Sequence, residues 1–353
     1  MIAQGIANHD PCYEKEGFSV QEALYYEQLD EGRVWCHLCP QNCKISPERH
    51  GICRARQNIE GKLYTLNYGK VTSGGVDPIE KKPLYHYYPG TNIFSVGTFG
   101  CNFRCGFCQN WEIAHGDSPP TREVTPETLV EIALEAQKRS GSIGIAYTYS
   151  EPLIWYEFVY DTAKIAQQKG LKNVLVTNGF VQKEPLLELL PFVDAMNIDV
   201  KAFTDDFYRK TCSGRLEPVL KTVELAQQSC HVEITNLVVP GMNDSDQEII
   251  GLVDWIASLD PGIPLHFSRY FPQYEFDLPS TPLETMIRVF KLASSKLQYV
   301  YIGNAWEIAK NDTLCPECGS LLIERSGYGV QVKGLEENKC RECGYEARVV
   351  VSK

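Results

Sequence analysis

Cysteine is the residue type whose spacing in this chain most clearly indicates chemistry. Of the fourteen cysteines among 353 residues, eleven fall into three short-spaced sets. The first residues show no signal-peptide pattern, so we expect metal sites and not disulfides. The three sets are Cys36, Cys39, Cys43 and Cys53; Cys101, Cys105 and Cys108; and Cys315, Cys318, Cys340 and Cys343. We interpret Cys12, Cys212 and Cys230 as ordinary thiols.

The middle set has three cysteines where the other two have four. Cys101, Cys105 and Cys108 follow a C-x3-C-x2-C spacing on a loop after a predicted strand. Iron-sulfur clusters favour thiolate ligands, and three thiolates leave one iron of a [4Fe-4S] cluster open to a chelating ligand. The alternative is a zinc knuckle that a distant ligand completes.

This loop, with the aromatic Phe107 directly before its last cysteine, resembles the shared loop of the radical S-adenosylmethionine (SAM) superfamily. The resemblance implies that the amino and carboxylate groups of SAM bind the open iron. It further implies that reductive cleavage of SAM gives a 5′-deoxyadenosyl radical, and that oxygen inactivates the protein. We expect Phe107 and Gln109, which flank the third cysteine, to contact the cofactor.

Two further loops strengthen this resemblance. Ser150 and Glu151 lie in Thr148-Tyr-Ser-Glu-Pro152, after the second predicted strand, where the family receives the SAM ammonium group. The alternative is that Glu151-Pro152 only begins a helix, since proline is favoured at a first helical position. Asn178 ends the next strand, and we expect it to hydrogen-bond the SAM carboxylate or ribose.

Asp199-Val-Lys201 matches the Asp-x-Lys pattern of activases of glycyl-radical enzymes, a branch of the superfamily. Strand alternation places both side chains on one face. The resemblance implies that Asp199 and Lys201 are catalytic residues that contact SAM or the substrate; the alternative is an ion pair at the barrel rim. After later strands, we expect Asn236 and the segment from His266 to Pro272, which includes Arg269, to lie near the adenine or the substrate.

Two segments outside these loops carry a more specific resemblance. The stretch from Asp77 to Gly90 and the first cysteine set resemble the radical SAM protein of the AmmeMemoRadiSam system, which is similar to pyruvate formate-lyase activating enzymes. The resemblance covers residues 33 to 310, and no motif in it identifies a substrate. Four side chains are candidates for a substrate mouth, with a solvated linker as the alternative: Lys81, Lys82, Tyr85 and His86.

The two four-cysteine sets differ in how clearly they indicate a metal. Cys315, Cys318, Cys340 and Cys343 form two C-x2-C knuckles, which predict a zinc ribbon, with rubredoxin-type iron as the competitor. The set that begins at Cys36 has the spacing C-x2-C-x3-C-x9-C. Zinc and a second [4Fe-4S] cluster both suit four thiolates. We interpret this set as a structural metal site, because four local cysteines close the coordination shell.

The central part of the chain alternates short apolar runs with amphipathic ones, which is typical of repeated strand-helix units. The predicted strands are Ile93–Val96, Gly144–Tyr147, Asn173–Thr177, Ala195–Asp199, His231–Val238, Leu265–Ser268 and Tyr299–Ile302. The predicted helices are Thr125–Ser140, Pro152–Lys169, Pro185–Leu190, Leu216–Gln228, Asp246–Ser258 and Pro282–Lys296.

We therefore predict an α/β fold, a partial or full (β/α) barrel of the radical SAM type, with the site at the strand C-terminal ends. The barrel would span residues 76–310. An irregular N-terminal four-cysteine metal-binding segment would span residues 1–75, and a C-terminal zinc ribbon residues 311–353.

The net charge of −11 argues against a broad electrostatic grip on nucleic acid or on an anionic membrane. An RNA substrate stays open but is not indicated by charge. The chain has no apolar run long enough for a membrane helix, and we expect a cytoplasmic protein.

Three functions fit these observations. The first is a radical SAM enzyme that modifies a small molecule, RNA or peptide, together with companion proteins of the same system. The second is an activase that generates a glycyl radical on a partner enzyme, and the third is a non-catalytic zinc-ribbon binding module. The enzyme readings require an external low-potential electron donor such as ferredoxin or flavodoxin. The extra cysteine modules favour the first.

Overall fold

The computed structural model describes residues 13–15, 18–308 and 311–351. Cys12, for which we predicted an ordinary thiol, lies outside these ranges. The strands before residue 72 are β1 (Tyr13–Lys15), β2 (Phe18–Glu22), β3 (Tyr26–Gln28), β4 (Val34–Cys36), β5 (Lys44–Ile45), β6 (Arg56–Ile59), β7 (Lys62–Thr65) and β8 (Lys70–Val71). They build a sheet of order β1-β2-β7-β6 and a smaller one of order β3-β4-β5. The expectation of an irregular N-terminal segment was therefore wrong.

The next strands are β9 (Ser73–Pro78), β10 (Asn92–Gly97), β11 (Arg122–Glu123), β12 (Ser142–Tyr147), β13 (Lys172–Thr177), β14 (Ala195–Asp199), β15 (His231–Val238), β16 (Leu265–Arg269) and β17 (Val300–Gly303). β11 pairs with β8, and the others form one sheet of order β17-β16-β15-β14-β13-β12-β10-β9. Its seven strands from β10 to β17 are parallel, and β9 is antiparallel to β10. The sheet does not close between β9 and β17, so the barrel is partial.

The helices are α1 (Trp111–His115), α2 (Pro126–Ser140), α3 (Tyr156–Gln168), α4 (Lys183–Leu189), α5 (Asp205–Phe207), α6 (Leu216–Ala226), α7 (Asp246–Leu259) and α8 (Leu283–Ser294). The boundaries of α2 follow from its sequence. Thr125 Oγ1 accepts a hydrogen bond from the backbone N–H of Thr128 at 3.2 Å, proline occupies the first turn, and Gly141 ends the helix at φ 67°. No helix among the described residues is long and apolar enough to cross a membrane.

Alternation along the parallel strands separates two sets of side chains. In β15, Val232 and Ile234 are buried in the apolar core beneath the helices, whereas Thr235 points into the barrel. The register aligns Asp199 of β14 with Thr235, and Thr235 with His266 of β16. The three side chains therefore form one row across the interior. The predicted barrel strands are confirmed, each to within two residues at either end.

The C-terminal strands are β18 (Thr313–Leu314), β19 (Leu321–Ser326), β20 (Gly329–Val332), β21 (Leu335–Glu336) and β22 (Lys339–Cys340). They form a three-stranded and a two-stranded antiparallel sheet around a small apolar core that includes Leu322 and Ile323. This module packs on the barrel. The backbone N–H of Tyr88 donates to Val350 O at 2.7 Å, and Arg325 Nη2 donates to Tyr85 O at 2.6 Å.

Glu233 of β15 holds the connection between β9 and β10 against the barrel interior. Its fully buried carboxylate accepts hydrogen bonds from the backbone N–H groups of Tyr85, at 3.0 Å, and His86, at 2.7 Å. It also meets His231 Nε2 at 3.0 Å and His266 Nε2 at 2.6 Å. Burial opposes ionisation of Glu233, but the two histidines hold its pKa well below the usual range.

We expect Glu233→Ala to lower the free energy of unfolding by about 3 to 5 kcal/mol, because four buried polar partners lose their acceptor. Urea denaturation followed by circular dichroism measures the change. The matched control is Glu131→Ala on the exposed face of α2, which should stay within about 0.5 kcal/mol of the unsubstituted protein. Equal midpoints for the two variants would contradict the role given to Glu233.

Candidate active site

A cavity of about 650 Å³ opens at the carboxyl ends of the parallel strands. This volume lies within the range of ligand pockets, about 300 to 1,000 Å³. Side chains at the ends of β14, β15 and β16 line its wall, and the loop after β10 contributes the three cysteines of the middle set. The position agrees with the expectation for a barrel of parallel strands.

Cys101, Cys105 and Cys108 all line this cavity. The loop turns at Gly100, where φ is 91° and an added Cβ would meet Cys53 O at 2.6 Å, so that only glycine fits. Burial raises the pKa of the Cys101 thiol well above its usual value and that of Cys108 to about 11. A metal that binds here must therefore displace protons. The neighbouring Cys212, interpreted as an ordinary thiol, and burial raise the pKa of Cys105 well above its usual value.

Asn178 connects the end of β13 to this loop. Its Nδ2 lies 3.7 Å from Cys101 Sγ and donates to Asn102 Oδ1 at 2.9 Å. Its Oδ1 accepts the backbone N–H of Phe180 at 2.8 Å, which fixes the orientation of the amide. Asn178 thus presents an N–H donor to a cysteine sulfur at the edge of the cavity.

The loop after β12 lies beside Asn178. Glu151 is fully buried, and its carboxylate accepts hydrogen bonds from Thr177 Oγ1 at 2.5 Å, Asn178 N at 2.8 Å and Leu153 N at 2.9 Å. Burial raises its pKa to about 7, although these bonds oppose the rise. Both proposed roles of Glu151 are compatible with this geometry, because it lines the cavity and also caps the short helix that begins at Pro152.

Ser150 also lines the cavity, and its Oγ donates to Thr98 O at 2.6 Å. The preceding Tyr149 has φ 71°, a left-handed conformation that is costly for a side chain of this size. Strain of this kind is frequent at functional sites. Asn110 Nδ2 donates to Tyr149 O at 2.6 Å and stabilises the turn.

Asp199 and Lys201 point to the same side of β14, as alternation predicts, and their charged groups lie 2.7 Å apart. Burial disfavours the charge on Lys201, but Asp199 raises its pKa above the ordinary value. The thiol of Cys105 lies close enough to raise that pKa further. Both residues line the cavity. This geometry is compatible with a catalytic pair and equally with an ion pair at the barrel rim.

Phe107 and Gln109 both line the cavity beside Cys108. Phe107 is buried and packs against Phe276, with ring centroids 5.7 Å apart, whereas Gln109 is exposed. Phe107 is thus fixed by packing, and Gln109 is free of that constraint.

The structure does not bring Asn236 and Arg269 into the cavity, contrary to the expectation for them. Their neighbours Thr235, Leu237 and Ser268 line it instead. The cause is strand alternation, which turns every second side chain of β15 and β16 away from the interior. Asn236 Nδ2 donates to Val200 O at 2.8 Å, and Arg269 Nε donates to Thr281 O at 2.8 Å.

Sequence reasoning missed a charged cluster on β9. Asp77 Oδ2 accepts from Lys82 Nζ at 2.9 Å and from Tyr149 OH at 3.2 Å. Burial opposes the charge of Asp77, but Lys82 and Lys81 lower its pKa to about 2. Lys81 and Lys82 had been candidates for the substrate mouth. The sequence feature that could have indicated Asp77 as their partner was its position five residues before Lys82.

Of the four candidates for the mouth, Lys81, Lys82 and Tyr85 line the cavity. His86 does not, because its ring is buried below, where Nε2 lies 2.6 Å from Tyr301 OH. Two aromatic residues that follow the last barrel strand, β17, also border the cavity. Trp306 and Tyr328 line it, with ring centroids 5.7 Å apart and 62% and 47% of their surfaces exposed.

In the C-terminal module, the thiols of Cys315, Cys318, Cys340 and Cys343 converge on one point. Their sulfur atoms all lie within 4.8 Å of one another. The closest pairs are Cys315 with Cys343, at 3.6 Å, and Cys318 with Cys340, at 3.7 Å. This arrangement suits a single tetrahedral ion.

The residues around Cys101 fit a [4Fe-4S] cluster with SAM. Three thiols line one cavity. Their sulfur atoms do not all lie within 4.8 Å of one another, as the sulfur atoms of the C-terminal set do. Asn178 supplies an N–H donor to a sulfur, as iron-sulfur sites commonly do. Beside them, the carboxylates of Glu151 and Asp199 suit the positive charges of SAM.

The chain is similar to known proteins in sequence and in structure. A sequence model of the Radical SAM superfamily matches residues 95–253. The uncharacterized protein MJ0808 of Methanocaldococcus jannaschii is 46% identical over 340 residues, which are 94% of this chain and 100% of that protein. The crystal structure of SuiB from Streptococcus suis bound to S-adenosylmethionine is 13% identical, with a TM-score of 0.48, over 62% of this chain and 50% of SuiB.

The chain is also similar in sequence to an activating enzyme. The pyruvate formate-lyase-activating enzyme of Clostridium pasteurianum is 30% identical over 181 residues, which are 48% of this chain and 72% of that enzyme. The matched superfamily model covers the cysteine loop and the strand ends and loops that carry Glu151, Asn178, Asp199 and Lys201. Because the superfamily model and the 30% identical activating enzyme both match it, the chain belongs to the radical SAM superfamily.

Proposed function

We propose that this protein removes a hydrogen atom from a small molecule, or from a nucleoside or peptide residue, that enters the cavity. The observation that carries this proposal is the placement of three cysteine thiols in a cavity of about 650 Å³, which Trp306 and Tyr328 also line. The first feature supports radical SAM chemistry. The second favours a substrate of limited size.

Cys101, Cys105 and Cys108 would hold the [4Fe-4S] cluster and leave one iron for SAM. When bound, the cluster supplies one electron to SAM, which breaks into methionine and a 5′-deoxyadenosyl radical that takes the hydrogen atom. We propose an external low-potential donor, such as ferredoxin or flavodoxin, as the source of the electron, and an anaerobic cytoplasm as the setting. Companion proteins of the same system are part of this proposal.

The chain's own residues would bind and orient SAM. The loop of Ser150 and Glu151 would receive the ammonium group, since Glu151 lines the cavity and its neighbours hold it in place. Asn178 would lie between the cluster and the SAM carboxylate. Asp199 and Lys201, paired at 2.7 Å near Cys105, would contact SAM or the substrate.

The second candidate is an activase that generates a glycyl radical on a partner enzyme. The 30% identical pyruvate formate-lyase-activating enzyme favours it, as does the Asp-x-Lys pattern. A protein loop would have to pass Trp306 and Tyr328, which come from outside the matched region. A glycyl-radical EPR signal on a partner mixed with the reduced protein and SAM would establish the activase.

We expect the anaerobically reconstituted protein, reduced with dithionite in the presence of SAM, to release 5′-deoxyadenosine. Cys105→Ala should reduce the yield to background, because the cluster loses one of three thiolates. Chromatography quantifies the product. The control is Cys230→Ala, which lies outside all three cysteine sets and should retain full yield. Absence of product from a protein with an intact cluster would favour a non-catalytic binding module.

We expect Asn178→Ala to lower the reduction potential of the cluster, because the amide no longer donates to Cys101 Sγ and stabilises the negative charge on sulfur. A redox titration monitored by EPR measures the potential. Asn304→Ala is the matched control, since Asn304 lines the same cavity but donates to Ser268 Oγ. An unchanged potential in Asn178→Ala would show that the 3.7 Å contact does not act on the cluster.

We propose zinc for the C-terminal set, because a filled shell of four thiolates at this spacing suits a structural ion. The protein should contain about one zinc per chain, and Cys340→Ala should lose it, since one of four ligands is gone. Mass spectrometry of the metal content tests this, again with Cys230→Ala as the control. One iron without sulfide at this site would contradict zinc.

A further inference from the structure

The first cysteine set surrounds a small cavity between the N-terminal sheets and the barrel. Cys36, Cys39, Cys43 and Cys53 all line it. Three of these residues are buried, and Cys43 is partly buried. The same cavity is lined by Arg56 of β6 and by Ile154 of the barrel. Four thiols therefore face one enclosed space that the fold has shaped around them.

The separation of these thiols is not that of a single ion. Four sulfurs around one zinc lie about 3.8 Å apart, because each tetrahedral Zn–S bond is about 2.3 Å long. The C-terminal set has this spacing, with pairs at 3.6 and 3.7 Å. Among the described residues, the four sulfur atoms of the C-terminal set all lie within 4.8 Å of one another. No three sulfur atoms of the Cys36 set lie that close together.

A cubane cluster explains both observations. It carries its irons at four separate corners, so its thiolate ligands face a common centre but stand farther apart than the ligands of one ion. The sulfur atoms of Cys101, Cys105 and Cys108 also do not all lie within 4.8 Å of one another. This is the loop at which the superfamily has a [4Fe-4S] cluster. The two wide sets and the one narrow set thus belong to different kinds of metal site.

The charges around the cavity suit an anionic cluster. Arg56 is 1% exposed, and its Nη1 lies 3.8 Å from Cys36 Sγ. Its guanidinium also pairs with Glu157 of α3, while the buried Nε has no acceptor among the described residues. Donors to the sulfurs and a buried cation are the features that stabilise iron-sulfur clusters.

We propose that Cys36, Cys39, Cys43 and Cys53 hold a second [4Fe-4S] cluster. Each iron would have a cysteine ligand, so this cluster would have no open position for SAM and would differ in function from the first. The interpretation of this set as a structural single-ion site is replaced by this proposal.

The second site would be a direct neighbour of the first. Gly100 directly precedes Cys101, and a Cβ atom added to Gly100 would lie only 2.6 Å from Cys53 O. Gln41 Nε2 donates to Asn102 O at 2.8 Å, and Arg104 donates to Ile52 O. The two cysteine loops are thus joined by contacts on both sides of Cys101, a position that suits a carrier of single electrons.

The test is the iron and acid-labile sulfide content of the full-length protein after anaerobic reconstitution. We expect about eight irons and eight sulfides per chain, four of each from each cluster. The combined Cys101→Ala, Cys105→Ala and Cys108→Ala variant should retain about four of each, with an EPR signal of a reduced [4Fe-4S] cluster on dithionite addition. Cys230→Ala should retain both clusters.

Three outcomes would overturn the proposal: a triple variant without iron and sulfide, a second zinc per chain, or iron without sulfide. The decisive variant leaves the N-terminal segment unchanged, so a folding defect from removing Cys36 or Cys53 does not affect the result. The measurement is also independent of SAM cleavage. A protein could fail to produce 5′-deoxyadenosine and still show the second cluster.

Discussion

Seven parallel strands that end at one edge determine which side chains can meet in this protein. Each strand turns alternate residues toward the interior, and the register places Asp199, Thr235 and His266 in one row. The cysteine loop follows the strand at one end of this series, and Trp306 follows the strand at the other. The cavity exists because the sheet curls these ends toward each other, and Glu233 holds the connection below them.

The same constraint explains what the sequence could predict. Apolar runs separated by amphipathic helices located the barrel strands, and alternation correctly put Asp199 and Lys201 on one face. Applied equally to β15 and β16, it would have selected Thr235 and Ser268 and excluded Asn236 and Arg269. That error came from choosing residues by chemical type and not by position in the strand.

Other features lay beyond sequence reasoning for physical reasons. The N-terminal strands are two to five residues long, too short for a periodic pattern to emerge. Tyr328 reaches the cavity through a hairpin more than 200 residues from Cys101 in sequence, and the packing of Arg325 on Tyr85 helps to hold this hairpin against the barrel. The spacing of cysteines along the chain did not reveal the spacing of their sulfurs, which separates one-ion sites from clusters.

The superfamily model matches only part of the chain, and this limits what the relatives reveal about the reaction. The superfamily model ends at residue 253, whereas Tyr85, Trp306 and Tyr328 lie outside residues 95–253. The residues that would hold the cluster and SAM come from the matched part of the barrel, and the aromatic lining residues Tyr85, Trp306 and Tyr328 come from its flanks. Cluster chemistry therefore carries over from the superfamily more safely than substrate choice. We propose that the C-terminal module acts on specificity, because it contributes Tyr328 to the lining of the cavity but none of the three cysteines of the middle set.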